Sequence, residues 1–98
     1  MYNYDLSEQA KADLLRIYEY GIGQFGVDQA DKYFDLMHDC FNKIAKNPYL
    51  FPAVSTIKLN HHKCVCGVDA IYYKIVENGI VITTIIGRQD FDMQNLFY

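Results

Sequence analysis

The chain has 98 residues, of which 51% are hydrophobic and 21% are charged, and its net charge at pH 7 is −3. This size and composition predict one folded domain over residues 1–98 and exclude an intrinsically disordered chain. No apolar run approaches the ~20 residues of a membrane span. The first residues lack the basic and apolar stretches of a secretory signal, so we expect a cytoplasmic protein without a membrane partner.

The charge distribution and the cysteine count narrow the possible classes of protein further. The excess of acidic side chains lies in residues 1–54, whereas residues 55–98 are balanced. Nucleic-acid surfaces need clustered lysines and arginines, so we expect no direct specific nucleic-acid binding. The three cysteines are an odd number, which argues against a disulfide framework. We expect reduced thiols, with Cys40 as a small apolar filler in a helix.

The chain begins with the pattern of a strand followed by a helix. Apolar and polar side chains alternate over residues 2–6, which predicts a short strand with one apolar face. Ser7 can cap the free backbone N–H groups of a helix that runs from about Glu8 to Tyr20. A cluster of glycines is expected to end this helix and to form a loose connection. These glycines are Gly21, Gly23 and Gly26.

A second helix is the clearest element of the sequence. Its apolar side chains recur at steps of three and four residues over roughly five turns, and Asn47-Pro48 stops it. This apolar stripe consists of Ala30, Tyr33, Phe34, Met37, Phe41, Ile44 and Ala45. In the connector that follows, the three large side chains Tyr49, Leu50 and Phe51 are expected to pack under the domain.

From Lys58 onward the pattern is that of strands. Residues 63–66 predict a short strand, Gly67 a bend or bulge, and residues 69–76 a longer strand. Asn78-Gly79 predicts a hairpin turn, because both central positions of a type I′ turn need positive φ, and the returning strand is expected over residues 80–86. A two-residue loop at this place sets the register. It pairs Val76 with Val81, Lys74 with Thr83 and Tyr72 with Ile85.

That register divides the hairpin into two apolar faces. The face expected to meet the helices carries Ile71, Tyr73, Ile75, Ile82, Thr84 and Ile86. The other carries Tyr72, Lys74, Val76, Val81, Thr83 and Ile85. A small monomer rarely leaves such a patch exposed, so we expect a second copy of the chain in a homodimer, a partner chain, or the tail FDMQNLFY to cover it.

The predicted elements define the fold class. The order of strand, helix, helix and three strands predicts an α+β domain. It consists of an N-terminal strand, a helical hairpin and a three-stranded antiparallel segment, with the helices packed on one face of the sheet.

Catalytic and metal-binding motifs are weak. His61, His62, Cys64 and Cys66 fall close together, but the spacing is not that of a structural zinc site, so we expect no metal. No cysteine stands in a motif with a base and an oxyanion-binding group. The stretch GIGQFG follows a helix rather than a strand, which argues against a nucleotide loop. We therefore expect no catalytic residues and no cofactor.

The end of the last strand is the remaining candidate site. Arg88 follows Gly87 directly, and Asp90 comes two residues later. An arginine offers a planar fork for a carboxylate or a phosphate. The alternative is that Arg88 forms an ion pair with Asp90 or a helix and only fixes the end of the sheet.

Three stretches of the sequence are informative together, namely "LSEQAKADLLRIYEY", "IAKNPYLFP" and "GVDAIYYKIVENGIVITTIIGRQD". In this order they resemble the first helix, the end of the second helix and the terminal hairpin of the ParE/RelE superfamily of bacterial toxins. The resemblance spans nearly the whole chain in the same order, and it is closer to the ParE branch. It implies the toxin of a type II toxin–antitoxin pair that inhibits DNA gyrase, carries no hydrolytic site and is neutralised by a cognate antitoxin.

The resemblance also suggests roles for particular residues. Arg88, Lys63, His62, Asp90 and Phe91 are the candidates for target binding. The candidate binding surface for the antitoxin is the hairpin face that carries Tyr72, Lys74, Val76, Val81, Thr83 and Ile85.

Two alternatives remain open. One is a RelE-type ribosome-dependent mRNA endoribonuclease, although Ile86 stands where such relatives often have a histidine. The other is a degenerate toxin that serves only as a binding module.

Overall fold

Two helices and four strands make up the part of the chain described by a computed structural model, residues 2–54 and 60–87. In chain order they are β1 (Asn3–Leu6), α1 (Glu8–Phe25), α2 (Val27–Lys46), β2 (His62–Cys66), β3 (Asp69–Val76) and β4 (Gly79–Gly87). The strands form one sheet in the order β1-β4-β3-β2. The β2–β3 and β3–β4 pairs are antiparallel, whereas β1 joins β4 in parallel.

The helices pack on one face of this sheet, so the predicted α+β fold is confirmed. The core between the two layers combines α2 side chains with alternate strand side chains. Its fully buried members include Met37, Phe41, Ile44, Ile71, Tyr73, Ile80 and Ile82. Among the described residues, no helix combines the length and apolar character that crossing a membrane requires.

Helix α1 is longer than the sequence predicted. It starts as expected, with the Ser7 hydroxyl accepting a hydrogen bond from the Ala10 N–H at 3.1 Å. It continues past Tyr20 to Phe25, so Gly21 and Gly23 are helical and the prediction of a loose connection there is wrong. Gly21 faces α2, where an added Cβ would make an ordinary contact of 3.4 Å with the Cβ of Ala30.

Helix α2 matches the prediction, and the connector after it does not. The predicted apolar stripe is buried or half-buried, and Asn47 ends the helix. Phe51 packs against the core, but Tyr49 and Leu50 are largely exposed, so their predicted burial is wrong. The Leu50 N–H donates to the Asn47 carbonyl at 3.1 Å, a tight turn that directs these two side chains outward.

The hairpin between β3 and β4 has a different register from the predicted one. Val76 pairs with Gly79 and Lys74 with Val81, so the two-residue loop is Glu77-Asn78 rather than Asn78-Gly79. Further along, Tyr73 pairs with Ile82 and Tyr72 with Thr84. Thr83 therefore has no pairing partner of its own and forms a β-bulge, which shifts every later residue of β4 by one position.

The bulge corrects the predicted faces. Ile85, predicted for the exposed face, is 1% exposed and belongs to the core cluster. Ile86, predicted for the core, lies on the opposite face with Ala70 as its partner. Side chains satisfy the displaced backbone, since Ser7 Oγ donates to the Thr83 carbonyl at 2.8 Å and Thr83 Oγ1 donates to the Tyr72 carbonyl at 3.2 Å.

Two of the three cysteines are joined. Cys40 of α2 and Cys66 of β2 form a disulfide across a Cα–Cα distance of 6.4 Å, which corrects the expectation of reduced thiols throughout. An odd count leaves one cysteine over without excluding a pair. That cysteine, Cys64, is buried, and the burial raises the pKa of its thiol.

Candidate functional site

A groove opens on the sheet face that points away from the helices. We call it the outer groove, and its volume is about 300 Å³. Its lining consists of Lys63, Val65, Gly67, Val68, Asp69, Ala70, Tyr72 and Ile86. Cross-strand pairing explains why these side chains meet. Val65 pairs with Ala70, and Ala70 with Ile86, so three neighbouring strands each contribute to one surface.

The outer groove is mainly apolar, and parts of it are exposed. Val65 is 67% exposed and Val68 is 63% exposed. Tyr72 is only 2% exposed, although it lies outside the apolar cluster that the helices cover. The groove therefore offers a buried aromatic floor and an exposed aliphatic rim, which is the composition of a peptide-binding surface.

The outer face continues beyond the groove toward β1. Lys74 is exposed and pairs with Val81, which is half-buried, and Val76 is exposed at the end of β3. Asp5 of β1 lies beside Val81. This part of the face combines one cation and one carboxylate with two valines, so it extends the apolar surface and adds charge of both signs.

A tyrosine from α2 holds one side of the groove in place. The side in question is the β2–β3 turn, Gly67 to Asp69, which we call the lip. The Tyr33 hydroxyl accepts a hydrogen bond from the Val68 N–H at 3.2 Å and donates to Asp69 Oδ2 at 2.5 Å. Burial, followed by the hydrogen bond to Asp69, raises the pKa of Tyr33. The hydroxyl is therefore harder to deprotonate than that of an exposed tyrosine.

Gly67 is required at the lip for two reasons. Its φ of +61° lies in the left-handed region that side chains rarely adopt, and a Cβ there would come 2.7 Å from the Tyr33 hydroxyl. The Tyr33 ring thus rests against the turn where only a glycine fits. The lip is fixed to α2 by shape as well as by hydrogen bonds.

The structure brings together only some of the predicted binding residues. Lys63 and Tyr72 are directly paired in the groove, and the two residues share its wall. His62 lies on the other face of β2, where its ring stacks on Tyr73 at 5.4 Å and its Nδ1 is 2.9 Å from the Phe51 carbonyl oxygen. The two candidates therefore lie on opposite faces of β2, because neighbouring residues of a strand point in opposite directions.

The other predicted residues divide into four groups. Lys74, Val76 and Val81 lie on the outer face as predicted, and Thr83 forms the bulge. Ile85 lies in the core. Arg88, Asp90 and Phe91 lie outside the described residues, as does the tail FDMQNLFY.

Sequence reasoning missed six of the eight residues that line the groove, among them Val65, Val68 and Ile86. Val65 alternates with Lys63 in the sequence, so the period of a strand could have placed the two on one face. Val68 is an exposed aliphatic residue beside a glycine turn, which carries no local sign of its role. Ile86 could not be found without knowledge of the bulge that turns it outward.

The polar groups of the outer groove point to recognition of a protein segment. Lys63 supplies a cation, and the Asp69 carboxylate is engaged with Tyr33. Among residues 2–54 and 60–87 there is no group of three or more His, Cys, Asp or Glu that could hold a metal ion. An apolar groove beside a lysine suits an extended or helical peptide with apolar anchors and a carboxylate.

Comparison with solved structures defines the fold class. The chain superimposes on a structure described as the chromosomal ParDE TA system from P. aeruginosa with a TM-score of 0.76. That match covers 87% of this chain and 94% of the other at 15% identity. A structure of the RelB–RelE antitoxin–toxin complex from Methanococcus jannaschii matches with a TM-score of 0.53 at 12% identity, over 95% and 98% of the two chains. The helical hairpin on a four-stranded sheet is thus the fold of the ParE/RelE toxins.

Sequence comparison identifies the branch. The family model for the ParE toxin of the type II toxin–antitoxin system parDE matches residues 4–91. Toxin ParE1 of Mycobacterium tuberculosis is 27% identical over 90 residues, which are 92% of each chain. Toxin ParE1 of Caulobacter vibrioides is 29% identical over 72 residues, covering 74% of this chain and 75% of the relative. The chain belongs to the ParE toxin family of type II toxin–antitoxin systems, which confirms the resemblance noted from the sequence.

Proposed function

We propose that this ParE-family toxin acts by inhibiting DNA gyrase and is neutralised by a cognate antitoxin seated on its outer sheet face. The observation that carries the proposal is the outer groove, which exposes aliphatic side chains that the chain's own helices do not cover. The matched ParDE and RelB–RelE structures are toxin–antitoxin assemblies, which supports a partner of this kind.

The chemistry of the outer face indicates what the antitoxin should offer. Val65, Val68 and Ile86 provide contacts for apolar anchors, and each fully buried aliphatic side chain contributes ~1.5–3 kcal/mol before the entropy of ordering the peptide is subtracted. Lys63 and Lys74 lie along the same face and favour acidic side chains beside those anchors. The antitoxin segment is therefore amphipathic, with apolar and acidic residues.

The charge of the outer face favours a protein target over an RNA substrate. Among its described residues the cationic side chains are Lys63 and Lys74, and the whole chain has a net charge of −3. A ribonuclease must neutralise several phosphates and the charge of its transition state. Two lysines on this face are few for that purpose, which supports gyrase rather than messenger RNA as the target. Arg88, with Lys63, Asp90 and Phe91, is proposed to contact it.

Two assays with the purified toxin separate the candidate activities. DNA supercoiling by gyrase, with detection of trapped cleavage complexes, is measured beside ribosome-dependent cleavage of messenger RNA. Loss of supercoiling with intact messenger RNA is the expected result. Cleaved messenger RNA with normal supercoiling would instead establish the RelE-type activity. No effect in either assay, together with tight antitoxin binding, would leave a binding module and overturn the gyrase proposal.

A further inference from the structure

We propose that the Cys40–Cys66 disulfide is a site of reversible oxidation that regulates the outer groove, so that the oxidised toxin holds its antitoxin more tightly than the reduced toxin. The regulation of antitoxin binding rests on the function proposed above. The effect of oxidation on the lip itself does not. The bond lies where it can have this effect, because Cys66 immediately precedes the lip residue Gly67.

The position of Cys66 in the sheet explains why the bond is important for the lip. Strand β2 is at the edge of the described sheet and pairs with β3 on one side only. At the start of β2 the connector supplies further bonds on the open side, since the Lys63 N–H donates to the Pro52 carbonyl at 3.0 Å and the Val54 N–H to the His61 carbonyl at 2.8 Å. These bonds do not extend to Cys66. The C-terminal end of β2 is instead joined to α2 by the disulfide and by the Tyr33 hydroxyl, which lies 3.0 Å from the Cys66 carbonyl oxygen.

Helix α2 thus holds the lip through two side chains on one face of the helix. Cys40 is bonded to the residue before the lip, and Tyr33, two turns earlier, hydrogen-bonds to Val68 and Asp69 within it. Reduction removes the covalent attachment and leaves the hydrogen-bonded one. Segments at a sheet edge with few attachments open at the lowest free energy, so we expect local opening of the lip rather than global unfolding.

The location of the two sulfur atoms connects the redox state with occupancy of the groove. Cys40 and Cys66 are both buried, so a reductant reaches them only when the lip opens. A peptide bound in the groove against Val68 keeps the lip closed. Because coupling between two sites is reciprocal, the factor by which oxidation strengthens binding is also the factor by which binding favours the disulfide.

The redox step is an ordinary thiol–disulfide exchange with a dithiol of the thioredoxin class. One thiolate of the reductant attacks Sγ of Cys40 or Cys66, the S–S bond breaks, and the other cysteine leaves as a thiolate. The second thiol of the reductant then attacks this mixed disulfide. The reductant leaves with its two sulfur atoms joined in a disulfide, and the remaining cysteine of the toxin is released. Two electrons pass to the toxin, and each of its two sulfur atoms ends as a protonated thiol. For the cytoplasmic location expected from the sequence, disulfides are usually transient or redox-sensing, in keeping with a regulatory bond.

The bond is tested first by counting thiols. The toxin is first equilibrated with oxidised glutathione, and one of two samples is then reduced with dithiothreitol. Both samples are unfolded in the presence of iodoacetamide, and mass spectrometry counts the modified cysteines in each. One modified cysteine, Cys64, is expected without reductant and all three after reduction. Three modified cysteines in both samples would overturn the proposal.

Hydrogen exchange then tests the effect on the lip without any ligand. Amide exchange in peptides covering Gly67–Asp69 should accelerate at least about threefold in the reduced protein and in Cys40→Ala under oxidising conditions, with α1 unchanged. Cys66→Ala provides a second variant if Cys40→Ala does not fold, and Cys64→Ala is the matched control that keeps the bond. Equal exchange in oxidised and reduced wild-type protein would show that the bond does not hold the lip.

Antitoxin binding is measured last, with the antitoxin purified from its complex with this toxin. We expect reduction to weaken binding on the order of tenfold, within the usual range of coupling between linked sites, and bound antitoxin to slow reduction by dithiothreitol. Equal affinity in both redox states would refute regulation of binding. If no antitoxin can be obtained, the proposed function fails, whereas the hydrogen-exchange result still decides whether the disulfide holds the lip.

Discussion

The Asp13 carboxylate accepts a hydrogen bond from the Ile85 backbone N–H at 3.0 Å, joining helix α1 to strand β4. The same oxygen, Oδ2, accepts from the Thr84 hydroxyl at 2.8 Å, and Asp13 is buried. These bonds lie directly after the bulge at Thr83, where the pairing of the sheet is interrupted. A helix side chain therefore stabilises the part of β4 that turns Ile85 inward and Ile86 outward.

Replacement of Asp13 tests this role. In Asp13→Ala the buried N–H of Ile85 loses its acceptor, and we expect a loss of about 1–3 kcal/mol in the free energy of unfolding, measured by urea denaturation. Glu19→Ala, an exposed acidic position of the same helix, is the matched control and should change stability by less than about 0.5 kcal/mol. Equal midpoints for the two variants would show that Asp13 does not stabilise the bulge.

Local sequence patterns predicted the helices and strands well, but they predicted the pairing register of the strands poorly. The bounds of β3 and the apolar stripe of α2 follow from periodicity, which is a property of neighbouring residues. The hairpin register does not, because the Asn78-Gly79 signal is outweighed by pairing of Gly79 with both Val76 and Asn3. Pairing with the neighbouring strand β1 thus places the turn one residue earlier than the hairpin sequence alone predicts.

The candidate site shows the same limit. Lys63 and Tyr72 could be assigned to the outer face from strand period alone, and both line the groove. Ile86 faces the groove only because of the bulge at Thr83. Asp13 stabilises this bulge through a hydrogen bond from Thr84, which lies 71 residues further along the chain. Distant side chains of this kind leave no sign in the hairpin sequence, so the exchange of Ile85 and Ile86 between faces could not be predicted. The pairing of Cys40 with Cys66 is equally a result of tertiary packing.

Two glycines should respond to alanine in opposite directions. A Cβ at Gly79 would collide with the backbone carbonyl of Asn3 in the neighbouring strand, so Gly79→Ala should lower the free energy of unfolding by about 1–3 kcal/mol. Gly23 lies in helix α1 with no atom within 4 Å of the added Cβ. Gly23→Ala should therefore raise stability by about 0.5–1 kcal/mol. Thermal unfolding of both variants checks the pair, and a destabilised Gly23→Ala would contradict the helical assignment.

Stability should fall in alkaline solution, and Tyr33 is one of the buried tyrosines that contribute to this loss. Burial and the hydrogen bond to Asp69 raise the pKa of Tyr33 in the folded state above the ordinary value of 10.0. As the pH rises past 10.0, the unfolded chain releases this proton first, so the stabilisation present below that pH is progressively lost. Urea unfolding between pH 8 and pH 11 should show this decrease.

Tyr33→Phe separates this group from the other tyrosines. The variant should be less stable at neutral pH, because the Val68 N–H and the Asp69 carboxylate lose a partner. It should also show a shallower alkaline decrease than the wild-type protein. Tyr20→Phe, altered at an exposed ring of α1, is the control and should follow the wild-type curve. An identical slope for Tyr33→Phe would refute the assignment.

Arg88 is expected to act on the target and not in folding. Arg88→Ala should reduce inhibition of gyrase supercoiling at least about tenfold, which corresponds to the loss of one good charge-assisted contact, while antitoxin binding is retained. Lys32→Ala, which removes a cation from an exposed position of α2, should leave inhibition unchanged. Full inhibition by a correctly folded Arg88→Ala protein would show that this arginine does not contribute to target binding.

Val65 provides the most direct test of the antitoxin seat. Its side chain is already exposed, so Val65→Asp should fold normally, with an unchanged circular dichroism spectrum. In the complex the new carboxylate would be buried beside apolar anchors without a partner, and affinity for the antitoxin should fall at least about tenfold. Leu15→Asp makes the same change at an exposed leucine of α1 and should bind like the wild-type toxin. If Leu15→Asp loses binding and Val65→Asp does not, the antitoxin lies on the helical layer instead of the outer groove.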